Sequence, residues 1–484
     1  MEQIVTSINN VLWSQWVIYT ILGIGLIFSI LTRFLQVRLI KDMVKLMFQG
    51  KSSEAGVSSF QALSIALSGR VGTGNIAGVA TAIAFGGPGA IFWMWAIAFI
   101  GASSAFIEST LAQIYKVKQD GQYRGGPAYY IEKGTGVKWF AVLFAIAALI
   151  AMSILMPGVQ SNSIALGVKN AFGISPMVTG IAIIVLLGFI IFGGVKRIAN
   201  VAQVIVPFMA LGYILVSLII VLMNITQLPS VISLIFKSAF ALDSAFGGLI
   251  GMAISWGVKR GIYSNEAGQG TGAHPAAAAE VSHPAKQGLV QAFSVYIDTL
   301  FVCSATAFMI LFTGMYNTTR PDGTFIVQNL KGIEAGPGYT QAAIESIFPG
   351  FGAGFVAIAL FFFAFTTIMA YYYIAETNIA YLARGNNSKW AMFLLKIVLL
   401  GATFYGAVKT AGLAWALGDT GLGIMVWLNV IAIVLLAKPA IITLKDYEKQ
   451  KKQGLDPVFD PKAISIKNAD FWEKEYKKEQ DHAS

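Results

Sequence analysis

Apolar runs of near-membrane length recur about eleven times in this chain, over residues 11–31, 57–85, 90–114, 140–167, 178–192, 201–223, 246–279, 289–315, 351–382, 390–405 and 422–437. A helix needs about 20 apolar residues to cross a bilayer, and inside hydrocarbon every backbone N–H and C=O must be satisfied without water. The expected fold is therefore all-α and polytopic, with about 11 transmembrane helices. The balance of 56% hydrophobic to 12% charged residues leaves too little polar surface for a water-soluble globule.

The placement of charge predicts the orientation. Residues 1–10 carry Glu2 and no Lys or Arg, so they lack the basic start of a secretory signal. Arg33, Arg38, Lys41, Lys45 and Lys51 follow the first run, which puts that connection in the cytoplasm and the N-terminus outside. Along the whole scheme about 25 Lys and Arg fall on cytoplasmic segments and about 5 outside, with the C-terminus inside. The net charge of +10 reflects this bias and a lysine-rich tail, so nucleic acid is not an expected partner. Cys303 is the one cysteine and lies in an apolar run, which leaves no disulfide and no cysteine-built metal site. The outer loop, 316–349, is expected to hold a short helix near 339–348, and the tail is read as a partly helical cytosolic extension without chemistry.

One run is interrupted by Ser68-Gly69-Arg70-Val71-Gly72-Thr73-Gly74-Asn75-Ile76-Ala77-Gly78. Polar and glycine residues at membrane depth are tolerated where the backbone lines a cavity, so a broken helix is expected. Its second half then offers N–H groups that suit a carboxylate, and its first half offers carbonyls that suit a small cation. A packing run of small residues is the blander alternative. A dinucleotide fingerprint is nearly matched by Gly72-x-Gly74-x-x-Ala77, but no strand precedes it and Phe92-Trp93-Met94-Trp95 stands where an acidic residue is needed. Arg70-x4-Asn75-x-Ala77-Gly78 returns as Arg260-x4-Asn265-x-Ala267-Gly268 in the 246–279 run. Two interrupted helices in two halves of a chain point to a transport site between repeats.

Charges within spans usually face the protein interior; here they are Arg70, Lys259, Arg260, Glu266 and Asp298. Arg260 and Glu266 are expected to form an internal ion pair that helps close the cytoplasmic side, while Glu108 and Glu376 are expected to snorkel toward headgroups. Thr366 and Thr367, with carbonyls of the broken helix, make a neutral oxygen cage appropriate to Na⁺. Hydroxyls bonded back to their own helix are the equal alternative. Gln160, after the helix-bending Pro157-Gly158, can reach a ligand or another helix. His274 and His283 have no third ligand nearby, and Tyr371, Tyr372 and Tyr373 read as interfacial or packing aromatics.

Gly86-Gly87-Pro88-Gly89-Ala90-Ile91-Phe92-Trp93-Met94-Trp95, followed by Gly101, resembles the signature of the alanine or glycine:cation symporter family, and both interrupted stretches resemble that family's characteristic segments. The resemblance covers essentially the whole chain. It implies a LeuT-type fold of two inverted five-helix repeats: an extra N-terminal helix and connection over 1–56, repeats over 57–245 and 246–437, and a tail over 438–484. It implies a cell-membrane symporter for a small neutral amino acid, alanine or glycine, coupled to Na⁺, with no other cofactor and no enzymatic activity. Val71 to Asn75 also resembles the first broken helix of neurotransmitter:sodium symporters. That likeness implies that Thr73 and Gly74 bind the substrate carboxylate, that Ser68, Val71, Thr366 and Thr367 hold Na⁺, that Asn75 contacts substrate or a second ion, and that Trp256 caps a small pocket. Arg70 departs from that second family, where the residue is small, and argues against a second Na⁺ beside it. Glutamine as substrate, or protons as coupling ion, remain alternatives within the fold. A passive channel is the rival from another class, disfavoured by the paired broken helices, and a membrane enzyme lacks a nucleophile–base or metal-ligand cluster.

Overall fold

The computed structural model of the protein describes residues 2–242, 245–384 and 388–476; the end of the expected tail, 477–484, lies outside the described residues. The 57–85 run folds as a broken helix. Ser58 starts it with a reciprocal cap, its Oγ accepting from Gln61 N at 3.2 Å while its own N donates to Gln61 Oε1 at 3.0 Å. Ser59–Arg70 stops there, Val71 and Gly72 leave helical geometry, and a π-helical turn, Gly74–Gly78, leads into Val79–Gly86.

The 246–279 run breaks as well. Ile250–Asn265 ends at Glu266, held at φ 55°, and the chain turns through Gly268 and Gly270 before Ala273–Ala278. A long side chain in the left-handed region is strained, and strain of this kind gathers at functional sites. The breaks fall at different points of the shared sequence pattern. The first follows Arg70 directly, so Asn75 lies beyond it; the second follows Asn265, which still ends its first half. The short sequence match is thus not a structural correspondence.

Seven helices among the described residues are long and apolar enough to cross a bilayer, Gly89–Ile114, Lys138–Phe172, Arg197–Met223, Pro284–Thr313, Gly352–Ala383, Lys389–Val408 and Ala411–Leu435, or eight if the pair Gln3–Leu12 and Gln15–Leu31, bent by 40°, is one span. The expected number of about eleven requires the two broken helices and the shorter Pro176–Ile191 to cross as well. Two expected boundaries move. The first run divides near Ser14, and its leading helix, Glu2–Leu12, lies against Ala411–Leu435 through Asn9 Nδ2 to Ala416 O at 2.8 Å. The last span starts at Ala411 rather than 422, with Asp419 inside it, because that carboxylate is neutralised within the protein by Lys259 and Arg260.

Apolar surface faces outward and polar residues inward. On the Gly194–Met223 helix, Val204, Phe208, Leu211, Leu215, Leu218 and Leu222 form an exposed stripe at helical spacing, as a lipid-facing helix requires. The broken helices are buried along most of their length and lie at the centre. The Gly89 end of Gly89–Ile114 shares its face with the N-terminal helix and the 316–349 loop, which folds as a hairpin, Asn317–Thr319 with Phe325–Gln328, and a helix, Pro337–Ile347. The Ile114 end shares its face with the tail.

That tail packs where no packing was expected. After the helix Ala437–Lys452 it runs under the bundle, with Phe459 N donating to Ser282 O at 2.9 Å, Lys286 paired with Asp456 at 2.6 Å and Asn468 Nδ2 donating to Lys133 O at 2.8 Å. Phe471 and Trp472 are buried, Trp472 Nε1 donates to Gln113 O at 2.9 Å, and Lys116 Nζ sits over the rings of Tyr123, Phe471 and Trp472 at 4.2, 4.6 and 5.1 Å.

Candidate substrate and cation site

In an unbroken helix the carbonyls of Ser68, Gly69 and Val71 would accept from the N–H groups of Gly72, Thr73 and Asn75. Each of those donors points elsewhere. Gly72 N donates to Asn75 Oδ1 at 2.8 Å, Thr73 N to Gln160 Oε1 at 3.0 Å and Asn75 N to Gly72 O at 3.2 Å. Thr367, from Gly352–Ala383, moves into the gap: its Oγ1 is 2.9 Å from Ser68 O, 3.5 Å from Val71 O and 2.9 Å from Phe363 O in its own helix. One hydroxyl proton therefore faces three carbonyl oxygens, an oxygen-rich point suited to a small hard cation. Gly72 is required for this approach, because a Cβ there would lie 2.4 Å from Thr367 Oγ1 and 3.0 Å from Gln160 Oε1.

Thr366 is not part of this cluster. Its Oγ1 bonds back to Phe362 O at 2.9 Å and Phe363 O at 3.0 Å. Adjacent helical residues stand about 100° apart, so only one of the two threonines can face the break.

The amide half of the break is held by side chains. Gln160 Oε1 occupies the Thr73 N–H, the place where a carboxylate oxygen is expected, and Gln160 Nε2 donates to Tyr371 Oη at 3.2 Å. Tyr371 is thus a buried polar partner rather than an interfacial aromatic. Thr73 Oγ1 is buried without a hydrogen-bond partner among the described residues. Asn75 uses both ends of its side chain, Oδ1 toward Gly72 N and Nδ2 toward Asp298 Oδ1 at 2.6 Å, so it braces the break. Gly74 admits the second broken helix: a Cβ there would lie 3.1 Å from Ser264 Cα and 3.3 Å from the Tyr263 ring. Trp256 stands about two turns before Tyr263 and packs on Phe85 instead, their rings 4.8 Å apart and tilted by 32°, so Tyr263 and Ser264, which the sequence reading missed, flank Gly74.

Beyond Tyr263 lies a cavity of about 830 Å³ on the 316–349 side, lined by Thr81, Phe85, Trp256, Asn317 and Trp415 among others. Its floor is ionic and aromatic. Asp419 accepts from Arg260 Nη1 at 2.7 Å and pairs with Lys259 at 2.5 Å, while the Arg260 guanidinium lies 4.2 Å from the Trp415 ring, itself 5.0 Å from Tyr263. The expected ion pair of Arg260 with Glu266 does not form. Six residues carry Glu266 about 9 Å along the helix and around it, where its Oε2 accepts from Thr271 Oγ1 at 2.7 Å. Arg260 therefore lines the cavity on the 316–349 side, apart from Glu266.

Toward the tail, Arg70 donates to Ser294 Oγ and, at 3.3 Å, to Gln291 O, within electrostatic reach of Glu266, Glu108 and Asp298. Glu108 does not snorkel. It is buried and caps the second break, accepting from Gly270 N at 3.0 Å and Asn429 Nδ2 at 2.8 Å. Glu376 pairs with Arg124 at 3.5 Å, and His274 is bound within the fold by Gly270 O at 3.0 Å and Asn378 Nδ2 at 3.0 Å.

Residues 1–461 match the sequence profile of the sodium:alanine symporter family. The chain is 83% identical over 484 residues, all of both chains, to the "Putative sodium/proton-dependent alanine carrier protein YrbD" of Bacillus subtilis (strain 168). It is 60% identical over 440 residues, 90% of this chain and 98% of the other, to the "Sodium/proton-dependent alanine carrier protein" of Bacillus sp. (strain PS3). It is also 47% identical over 461 residues, 95% of this chain and 93% of the other, to the "Probable sodium/glutamine symporter GlnT" of Bacillus subtilis (strain 168).

Proposed function

Because the chain belongs to the sodium:alanine symporter family, whose members are membrane transporters and not enzymes, we propose that it imports alanine together with Na⁺ by alternating access across the cell membrane. The observation that carries this reading is the break after Arg70, where three carbonyls have lost their helical donors and one of the replacement donors is the single Thr367 hydroxyl. Na⁺ binds Ser68 O, Val71 O and Thr367 Oγ1; Thr366 stands outside the set. The alanine carboxylate takes the N–H groups of Thr73 and Gly74, and Gln160 turns its amide nitrogen toward it. Asn75 positions these amides, and Tyr263 and Ser264 limit the side chain to a small group such as the methyl of alanine or the hydrogen of glycine.

Access from the 316–349 side is governed by Arg260 and Lys259 on Asp419, with Trp256 in the entry wall, and Glu266 contributes to closure on the tail side. The arrangement is that of two inverted five-helix repeats, 57–245 and 246–437, after an extra N-terminal helix, with eleven crossings, the N-terminus outside and the tail in the cytoplasm. Relatives at 83% and 60% identity are named for alanine and the one at 47% for glutamine, which favours alanine. One Na⁺ moving through about 100 mV supplies about 2.3 kcal/mol, enough for roughly a 40-fold alanine gradient. The test is labelled alanine uptake into proteoliposomes of the purified chain: an inward Na⁺ gradient should drive accumulation, and an equal K⁺ gradient that did so as well would refute the Na⁺ coupling.

A further inference from the structure

Asp298 lies in a π-helical turn, Ile297–Cys303, in the middle of the Pro284–Thr313 span, and is fully buried. Its Oδ1 accepts from Asn75 Nδ2 at 2.6 Å, and its Oδ2 faces Ser264 Oγ at 2.8 Å and Thr299 Oγ1 at 2.8 Å. Asn75 belongs to the first broken helix and Ser264 to the second, so one carboxyl joins both. No cationic nitrogen lies within 4.0 Å of it among the described residues. The charged and titratable groups facing it are Arg70 on Ser59–Arg70, Glu266 past the second helix and Cys303 in its own turn; Glu108 on Gly89–Ile114 acts on the same Arg70, and Tyr213 on Gly194–Met223 faces Cys303.

An ionised carboxylate without a cation partner is costly at membrane depth and marks an ion or proton path. The neighbours of Asp298 suit both of its protonation states. Ser264 Oγ also faces Cys303 Sγ at 3.1 Å, where either atom can donate, and Thr299 Oγ1 can accept from Asn265 Nδ2 at 3.2 Å. Each hydroxyl can therefore donate to an ionised Asp298 or, after rotating, accept from a protonated one. The ionised form pulls on Asn75 Nδ2, whose Oδ1 holds the Gly72 amide at the break.

Resting on the transport reading above, we infer that Asp298 is the residue that binds a coupling proton, taken up when alanine binds and released with it. Its proton is carried on the carboxyl and given to water on the other side, so no further reactant is needed. Proton binding loosens Asn75 from Asp298 and so alters the amides that receive the alanine carboxylate.

The full chain in proteoliposomes tests this with three readouts: alanine counterflow without gradients, accumulation on an inward Na⁺ gradient at equal pH, and accumulation on an inward pH gradient without Na⁺. Asp298→Asn should abolish pH-driven accumulation, and the counterflow it retains should no longer depend on pH. Asp298→Glu should restore part of the pH-driven accumulation. Should the asparagine variant bind but not turn over, alanine affinity decides: on the alkaline side the parent's affinity should fall about tenfold per pH unit, and the variant's should be flat. Unchanged pH-driven accumulation or unchanged pH dependence of affinity in Asp298→Asn overturns the inference. So does a parent that shows counterflow but no pH-driven accumulation, which leaves alanine transport standing; absent counterflow in the parent sinks the transport reading itself.

Discussion

Adjacent threonines of near-identical burial should differ sharply in function. Thr367→Val keeps the shape of the side chain and removes the hydroxyl that lies 2.9 Å from Ser68 O and 3.5 Å from Val71 O. A hydrogen-bonding partner of a charged group is worth about 1.5–3 kcal/mol, so the Na⁺ concentration for half-maximal uptake should rise about 10- to 150-fold at 1.4 kcal/mol per decade. Thr366→Val removes a hydroxyl that bonds back to Phe362 O and Phe363 O, whose carbonyls keep their helical donors, and otherwise makes a weak contact to Met209 Sδ at 4.0 Å. Its cost should be within about 0.5 kcal/mol, a factor near two. The assay is the initial rate of labelled alanine uptake against Na⁺ at constant ionic strength, with the alanine KM at saturating Na⁺ as control. Equal shifts for the two variants, or a larger one for Thr366→Val, would show that the cation does not sit between Thr367 and the broken helix.

Gln160→Glu puts a carboxylate on the Thr73 N–H where that of alanine should bind; alanine affinity measured by equilibrium binding should fall at least about tenfold. Asp419→Asn leaves the buried Arg260 and the partly exposed Lys259 without their shared anion, a loss of up to about 3–5 kcal/mol that should appear as a lower midpoint in a thermal unfolding scan, partly recovered by adding Lys259→Gln. In a Cys303→Ala background, an impermeant thiol reagent applied to whole cells should label Asp322→Cys in the 316–349 loop and spare Lys462→Cys in the tail; the opposite pattern would invert the topology.

What could be read before the structure was known has a physical boundary. Glycine, threonine and asparagine at membrane depth are costly unless they do something particular, so the break at Val71–Gly74 was legible, and Gln160 reaches another helix, one of the two outcomes expected for it. Which threonine of the pair faces the break depends on the rotation of the Gly352–Ala383 helix about its axis, and its hydrophobic residues surround it on every side, leaving no stripe to set that rotation. Asp419 was lost for a related reason: a lone acid near a run of apolar residues reads as the end of a span, and its partners Lys259 and Arg260 lie 160 and 159 residues away in the chain. The Arg260–Glu266 pairing failed because proximity in sequence was taken for proximity in space, although six residues on a helix point to different sides. The aromatics at Phe459, Phe471 and Trp472 are too widely spaced for any helical or strand period, so the tail looked solvated.

The docked tail has a consequence for biosynthesis. Trp472 meets Gln113 across 359 residues of chain, so the floor under the Gly89–Ile114 helix stays open while everything between them is made and inserted. Contacts between segments so distant in sequence carry a large loop-closure cost, and this one cannot form before Trp472 has left the ribosome. A chain cut short before Phe459 would leave Lys116 without the Phe471 and Trp472 rings that cover it, its ammonium resting on the Tyr123 ring and on Ala279 O at 3.1 Å with one face opened to water.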